Sequence, residues 1–224
     1  MLDQFQEKFI NYFAKTALAQ DFYWAGGTAL AEHYLHHRLS QDLDFFTDKN
    51  INYEQLIKLV SDFGRQNQIS DINRERIFDR RIFLMKKDAK LLKLEFAKYD
   101  FPLLNPLQIE PKTKLKITSL DDLAAGKLMS LIDRNEPKDV VDIYYLLQRG
   151  KYTLEKIIKL IKQKFGLGLD KLTVLREITR SSTNLDAIKP LLLLAEDEQA
   201  LEIKNIKNYF VELSNDYLKQ KIEL

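Results

Sequence analysis

Apolar positions recur along this chain with two different periods, and the change from one to the other divides it. Near the start, Phe5, Phe9, Phe13 and Ala17 fall at four-residue steps with Ile10 beside them, a stripe that predicts an amphipathic helix over residues 3–20. Residues 22–25 form a short apolar run that ends at Gly26 and Gly27, and TALAEHYL then supplies strong helix formers. That segment reads strand, glycine turn, helix. DLDFF at 42–46 reads as a second strand, YEQLIKLVSDF at 53–63 as a helix closing on Gly64, and strand-like stretches follow at 68–72, 81–85 and 91–97. Pro102, Pro106 and Pro111 punctuate an extended connector before a short strand at 115–118. From Ser119 the period is helical, predicting helices at 119–133, 137–148, 153–165, 170–179, 184–194 and 203–221. Ser119 and Asp122 open the first of these in the spacing of a capping box. The expectation is an α+β protein: a mixed sheet with helices over residues 1–117, then a helical bundle over 118–224. Gly166 to Gly168 reads as a loop inside the bundle, and no internal repeat is present.

Composition narrows the function classes. Hydrophobic residues at 45% and charged residues at 30% give an ordinary globular balance, which argues against disorder or a fibre. Cysteine is absent, so disulfides, thiolate metal sites and a cysteine nucleophile are excluded, and a reducing compartment fits. The opening MLDQFQEKFINYF carries charge through its apolar positions and lacks a small-residue cleavage site, unlike a signal or transit peptide. No apolar run reaches membrane-span length, so a cytoplasmic location is expected. The net charge of +2 leaves any nucleic-acid contact to a local patch. Arg74, Arg76, Arg80, Arg81, Lys86, Lys87, Lys90 and Lys93 form one candidate, although such a run is usually a solvated face.

The candidate chemistry lies in the first half. A strand ending in Gly26 and Gly27 and feeding a helix presents backbone N–H groups that suit a phosphate, with the Thr28 hydroxyl beside them. A tight turn that only packs the helix is the alternative. Asp42 and Asp44 share one strand face, their Cα atoms about 6.6 Å apart, while Leu43 and Phe45 face the other way. Two carboxylates so placed repel unless a cation intervenes, and Mg²⁺ takes carboxylates together with substrate phosphates. Solvated acids at a sheet edge are the competing reading. Glu95, in LLKLEFA, repeats this geometry on another strand and is the candidate third acid, or else a surface acid paired with Lys93 or Lys98. Lys127 falls inside the apolar stripe of Leu120, Leu123, Ala124, Leu128 and Leu131, where an ammonium needs an anion. It can reach a triphosphate across a cleft between the halves, or snorkel out of the interface. Asp139 and Asp142 open the next helix, a position that also suits purely structural acids, with Arg134 and Lys138 as partners. His33, His36 and His37 lack the spacing of a zinc site, and neither GxSxG nor a Walker A sequence occurs.

GGTAL followed by HRLSQDLDFF resembles the opening motif of the AbiEii-type nucleotidyltransferases, toxins of abortive-infection and toxin–antitoxin systems that act in phage defence. KLMSLIDRNEPKDVVDIYYLL is similar to that family's later lysine, arginine and paired-aspartate motif, and Glu95 sits where the family has an acid on a strand. The likeness spans residues 22–148, and residues 149–224 carry no matching motif. It implies a DNA polymerase β type nucleotidyltransferase domain with a helical C-terminal part. It also implies Mg²⁺ or Mn²⁺ on Asp42 and Asp44, with Glu95 as third ligand or base. Gly26, Gly27 and Thr28 would hold the nucleotide phosphates and Lys127 the triphosphate, with Asp139 and Asp142 completing the site. The implied reaction moves a nucleoside monophosphate from an NTP to an acceptor hydroxyl, by resemblance the tRNA 3′ end, with a cognate antitoxin as partner. Protein hydroxyls or small-molecule acceptors such as aminoglycosides, and an NTP-binding or partner-binding module without turnover, are the alternatives.

Overall fold

The computed structural model describes residues 2–222. Its first helix, α1 (Gln4–Phe13), is fixed by a reciprocal cap. The Asp3 carboxylate accepts from the Phe5 and Gln6 N–H groups, and the Gln6 side chain accepts from the Asp3 N–H at 2.9 Å. The helix stops at Phe13 rather than running on to residue 20. Thr16 is extended and its hydroxyl donates to the Phe13 carbonyl at 2.7 Å, taking an acceptor that a continuing helix needs, and a separate 3₁₀ turn follows at Ala17–Gln20.

The remaining elements of this part are β1 (Tyr23–Ala25), α2 (Gly26–Leu30) running into a π turn at Ala31–Leu35, β2 (Asp42–Thr47) and α3 (Tyr53–Gln66). A meander follows: β3 (Asp71–Ile77), β4 (Arg80–Lys87) and β5 (Lys90–Lys98). Two short strands, β6 (Gln108–Ile109) and β7 (Lys116–Ile117), complete one sheet in the order β3-β4-β5-β2-β1-β7-β6. The pairings β2 with β5 and β1 with β7 are parallel, and the rest are antiparallel. Helix α3 runs through Gly64, which is a packing position: a Cβ there would lie 2.6 Å from Ile72 Cδ1. Strand β3 starts later and extends further than the apolar pattern suggests. It is an edge strand, exposed at nearly every position, and its register with β4 rather than its own hydrophobicity defines it.

One face of the sheet holds the core. Trp24, Leu43, Phe45, Phe83, Met85, Leu94 and Phe96 pack with Phe5, Phe9 and Phe13 of α1 and Leu56, Val60 and Phe63 of α3. Phe45 and Phe96 are stacked, with centroids 5.2 Å apart, and Phe13 packs against both rings. The opposite face is left for chemistry.

The second part is helical: α4 (Leu120–Arg134), α5 (Pro137–Gln148), α6 (Leu154–Phe165), α7 (Lys171–Ser181) and α8 (Glu196–Ile222). Helix α6 is capped by Thr153 and ends on left-handed Gly166, and α7 is capped by Asp170. The α-helix expected at 184–194 is instead a 3₁₀ segment, Ser182–Leu191, in which Asn184 leaves helical angles and Pro190 withholds a donor. Helix α8 begins at Glu196, ahead of the expected residue 203, because Glu196, Asp197 and Glu198 favour the positive end of the helix dipole. The chain divides into two compact units after Ser119, and Leu35–Arg38 belongs to the second of them, which the spacing of apolar residues does not reveal. Among the described residues no helix is long and apolar enough to cross a membrane.

Candidate active site

In the first unit, strand alternation sends Leu43 and Phe45 into the core and turns Asp42 and Asp44 to the opposite face, where both are partly exposed. Register then decides who meets whom. Asp44 lies directly opposite Glu95 of β5 on one side and Ala25 of β1 on the other, while Asp42 lies opposite Lys93. The three acids singled out from the sequence therefore share one face of the sheet, drawn from two parallel neighbours.

Each acid faces a different neighbour. Lys93 Nζ donates to Asp42 Oδ2 at 3.0 Å. Burial works against the Lys93 ammonium, but its hydrogen bond to Asp42 and that carboxylate's charge outweigh burial and raise its pKa. Glu95, only 6% exposed, accepts a two-pronged bond from Arg80, Nε at 2.5 Å and Nη2 at 2.6 Å. Neither Lys93 nor Lys98 is the partner of Glu95; Arg80 is, diagonally across the β4–β5 pairing. Among the described residues no three His, Cys, Asp or Glu side chains gather as a metal-holding group. Asp42 and Asp44 nevertheless fit Mg²⁺, which takes one or two carboxylate oxygens from a protein when phosphates and water supply the rest. Glu95 fits that role less well because Arg80 engages both of its oxygens.

The glycine turn abuts this acid pair. Gly26 adopts φ +71°, and a Cβ built on it would fall 2.6 Å from Asp44 Cγ, so only glycine lets the backbone at the start of α2 lie against that carboxylate. Gly27 follows as the second residue of α2. Thr28 is buried, and its hydroxyl donates to the Asp42 carbonyl, tying α2 to β2. Its proton is thereby committed, and what remains for a ligand is an oxygen that accepts.

Lys127, Asp139 and Asp142 lie in the second unit, within a buried ion cluster. Asp142 is fully buried and accepts from Arg38 Nε at 2.6 Å, Arg38 Nη2 at 2.8 Å and His37 Nε2 at 2.7 Å, with Lys127 Nζ at 2.7 Å. Asp139 accepts from Arg134 Nε and Nη2 at 2.9 and 3.0 Å and from Lys127 at 3.3 Å. Burial alone would raise the Asp142 pKa, but the charges of Arg38 and Lys127 overcome it and hold the carboxyl well below its ordinary range. Burial is also the main cause lowering the His37 pKa, against the pull of Asp142. An ionised Asp142 only accepts, so the neutral imidazole carries its proton on Nε2, and its buried Nδ1 has no hydrogen-bond partner among the described residues. Of the two cations expected beside these aspartates, Arg134 binds Asp139 while Lys138 pairs with Glu136 at 2.8 Å. Adjacent residues on a helix do not face each other, which keeps Lys138 from Asp139. Reading by sequence did not connect His37 or Arg38 with Asp142, nor Arg80 with Glu95. The one available signal was Asp139 and Asp142 set among buried Val140, Val141 and Ile143, an arrangement that needs more positive charge than Lys127 provides.

Comparison with known proteins bears on the fold and the family. An uncharacterized protein of Aquifex aeolicus (strain VF5) is 26% identical over 222 residues, covering 97% of this chain and 94% of that protein. The crystal structure of JHP933 from Helicobacter pylori superposes with a TM-score of 0.54 at 19% identity, covering 97% of this chain and 93% of that one. A second H. pylori crystal structure gives the same TM-score at 20% identity, covering 94% and 93%. These likenesses establish a shared fold. The sequence profile that describes the nucleotidyl transferase AbiEii toxins matches residues 9–217, nearly the whole chain. This protein belongs to the nucleotidyl transferase AbiEii toxin family of type IV toxin–antitoxin systems.

Proposed function

We propose that the chain is a Mg²⁺-dependent nucleotidyltransferase that moves a nucleoside monophosphate from an NTP to an acceptor hydroxyl. The observation that carries this reading is the position of Asp44, set between the side-chain-free backbone of Gly26 and, across the β2–β5 pairing, Glu95. Asp42 and Asp44 would hold the ion, which when bound supplies positive charge to the phosphate oxygens. Gly26 and Gly27 let backbone N–H groups approach the triphosphate closely. The acceptor oxygen attacks the α-phosphorus, the bond to the bridging oxygen breaks, and pyrophosphate departs. Glu95, oriented by Arg80, has lone pairs left to accept from the acceptor hydroxyl, align it and take its proton as the new bond forms. Family membership supports a cognate antitoxin as partner; for the acceptor we propose the tRNA 3′ end, and for the site of action the cytoplasm.

Incubating the protein with Mg²⁺, each α-labelled NTP and total RNA should transfer label to tRNA. Asp44→Ala should abolish transfer while leaving the circular dichroism spectrum and melting nearly unchanged. Equal activity in variant and parent would end this reading. The Lys93–Asp42 and Arg80–Glu95 pairs favour one alternative, a nucleotide-binding module in which protein cations already neutralise the acids. It requires NTP binding with no labelled product from RNA, protein or aminoglycoside acceptors.

A further inference from the structure

The face that carries the acids does not end with them. Alternation along β2 continues Asp42, Asp44, Phe46, and Phe46 lies opposite Tyr23 of β1 just as Asp44 lies opposite Ala25. On the neighbouring strand Glu95 and Ala97 lead to Tyr99, whose N–H extends the pairing by donating to the Thr47 carbonyl at 2.7 Å. Phe46 and Tyr99 stack with centroids 4.7 Å apart and an interplanar angle of 20°. Phe101 meets Tyr99 edge-on at 5.2 Å, and the residue is 48% exposed. Tyr99 and Phe101 border a cavity of about 540 Å³, lined also by Tyr23 and Pro102 and by carboxylates.

The rim selects the occupant. Asp21, Asp48 and Asp100 line it against Lys49 and Lys116. Asp21 is paired with Lys49 and Asp100 with Lys98 at 3.4 Å, while Lys116 Nζ donates to the Gln20 carbonyl at 2.6 Å. Paired carboxylates keep lone pairs to spare, and beside apolar ring faces they suit a flat, uncharged ring that carries N–H donors. A cavity of this size admits such a ring with its sugar.

We propose that this aromatic cavity is a nucleobase site, taking the ring of an amine-bearing base (cytosine, adenine or guanine) by stacking on Phe101 and Tyr99 and by donation to the carboxylate rim. The base belongs to the NTP or to the terminal nucleotide of the acceptor, with its phosphate directed along β2 toward Asp44. That second statement, unlike the first, rests on the nucleotidyl-transfer reading.

Free nucleosides test the site without requiring turnover. Titration by NMR or calorimetry should show cytidine and adenosine binding the full-length protein more tightly than uridine. Phe101→Ala should weaken that binding about tenfold, as loss of one stacking face does. Phe101→Tyr should restore it, and Asp44→Ala should leave it unchanged. No nucleoside binding, or equal binding by Phe101→Ala with an unaltered melt, overturns the proposal. In the transfer assay, a raised KM for NTP in Phe101→Ala assigns the base to the donor, and a raised KM for RNA assigns it to the acceptor. Nucleoside binding that depends on Phe101 without any transfer would overturn the proposed reaction and leave the cavity standing. Transfer without such binding would do the reverse.

Discussion

At the scale of single residues, backbone freedom and ionic partnership govern the site. Gly26 is the sharpest case, because a methyl group there must push against Asp44 while the backbone holds φ +71°. Gly26→Ala should cost about 1–3 kcal/mol in urea unfolding, the usual penalty for a side chain forced into that region. It should also depress transfer more than this loss of stability accounts for, since the displaced group is a proposed metal ligand. Stability and activity both at parental levels would contradict the close approach. The acids themselves were legible in the sequence, since alternation is a property of one strand. Their partners were not: Arg80 reaches Glu95 through cross-strand register, and Arg38 reaches Asp142 across a sequence separation of 104. No local spacing encodes either contact.

At the scale of elements, the two faces of the sheet respond differently to truncation. Phe96 is fully buried against Phe13, Phe22, Phe45 and Phe83, so Phe96→Ala should destabilise by about 3–5 kcal/mol in denaturant unfolding. A loss below about 1 kcal/mol would mean that the aromatic core is not packed as described. Strongly periodic elements such as α5 and β5 could be read from the chain because burial on one side imposes the pattern. β3 could not be bounded that way, since an edge strand exposed on both faces has no apolar alternation to display. β6 is too short for any period and exists through its pairing with β7. The stretch Ser182–Leu191 has a helical rhythm of apolar residues, yet Pro190 and the irregular Asn184 leave it 3₁₀.

At the scale of the whole molecule, the buried cluster of the second unit couples stability to pH. The imidazole of His37, facing Asp142, Arg38, Lys127 and the Tyr145 ring, resists protonation in the folded state, whereas the unfolded chain binds that proton below the ordinary value of 6.5. Stability should therefore fall as pH drops from 7 to 5. His37→Gln, which keeps a donor for Asp142, should flatten that dependence of the melting temperature; an unchanged slope would sink the assignment. Asp142, with its folded pKa depressed, contributes fully above its ordinary value of 3.8, and its contribution is lost as pH falls from there through the depressed value. Leu35–Arg38 has a further consequence through its membership of the second unit. During synthesis Arg38 leaves the ribosome 104 residues ahead of the carboxylate that receives it, so the connection between α2 and β2 stays unfinished until α5 has emerged. A nascent chain halted before that point carries the proposed metal-binding acids without the finished loop that leads into them, and a chain assembled in this order completes that loop only once Asp142 is available to Arg38.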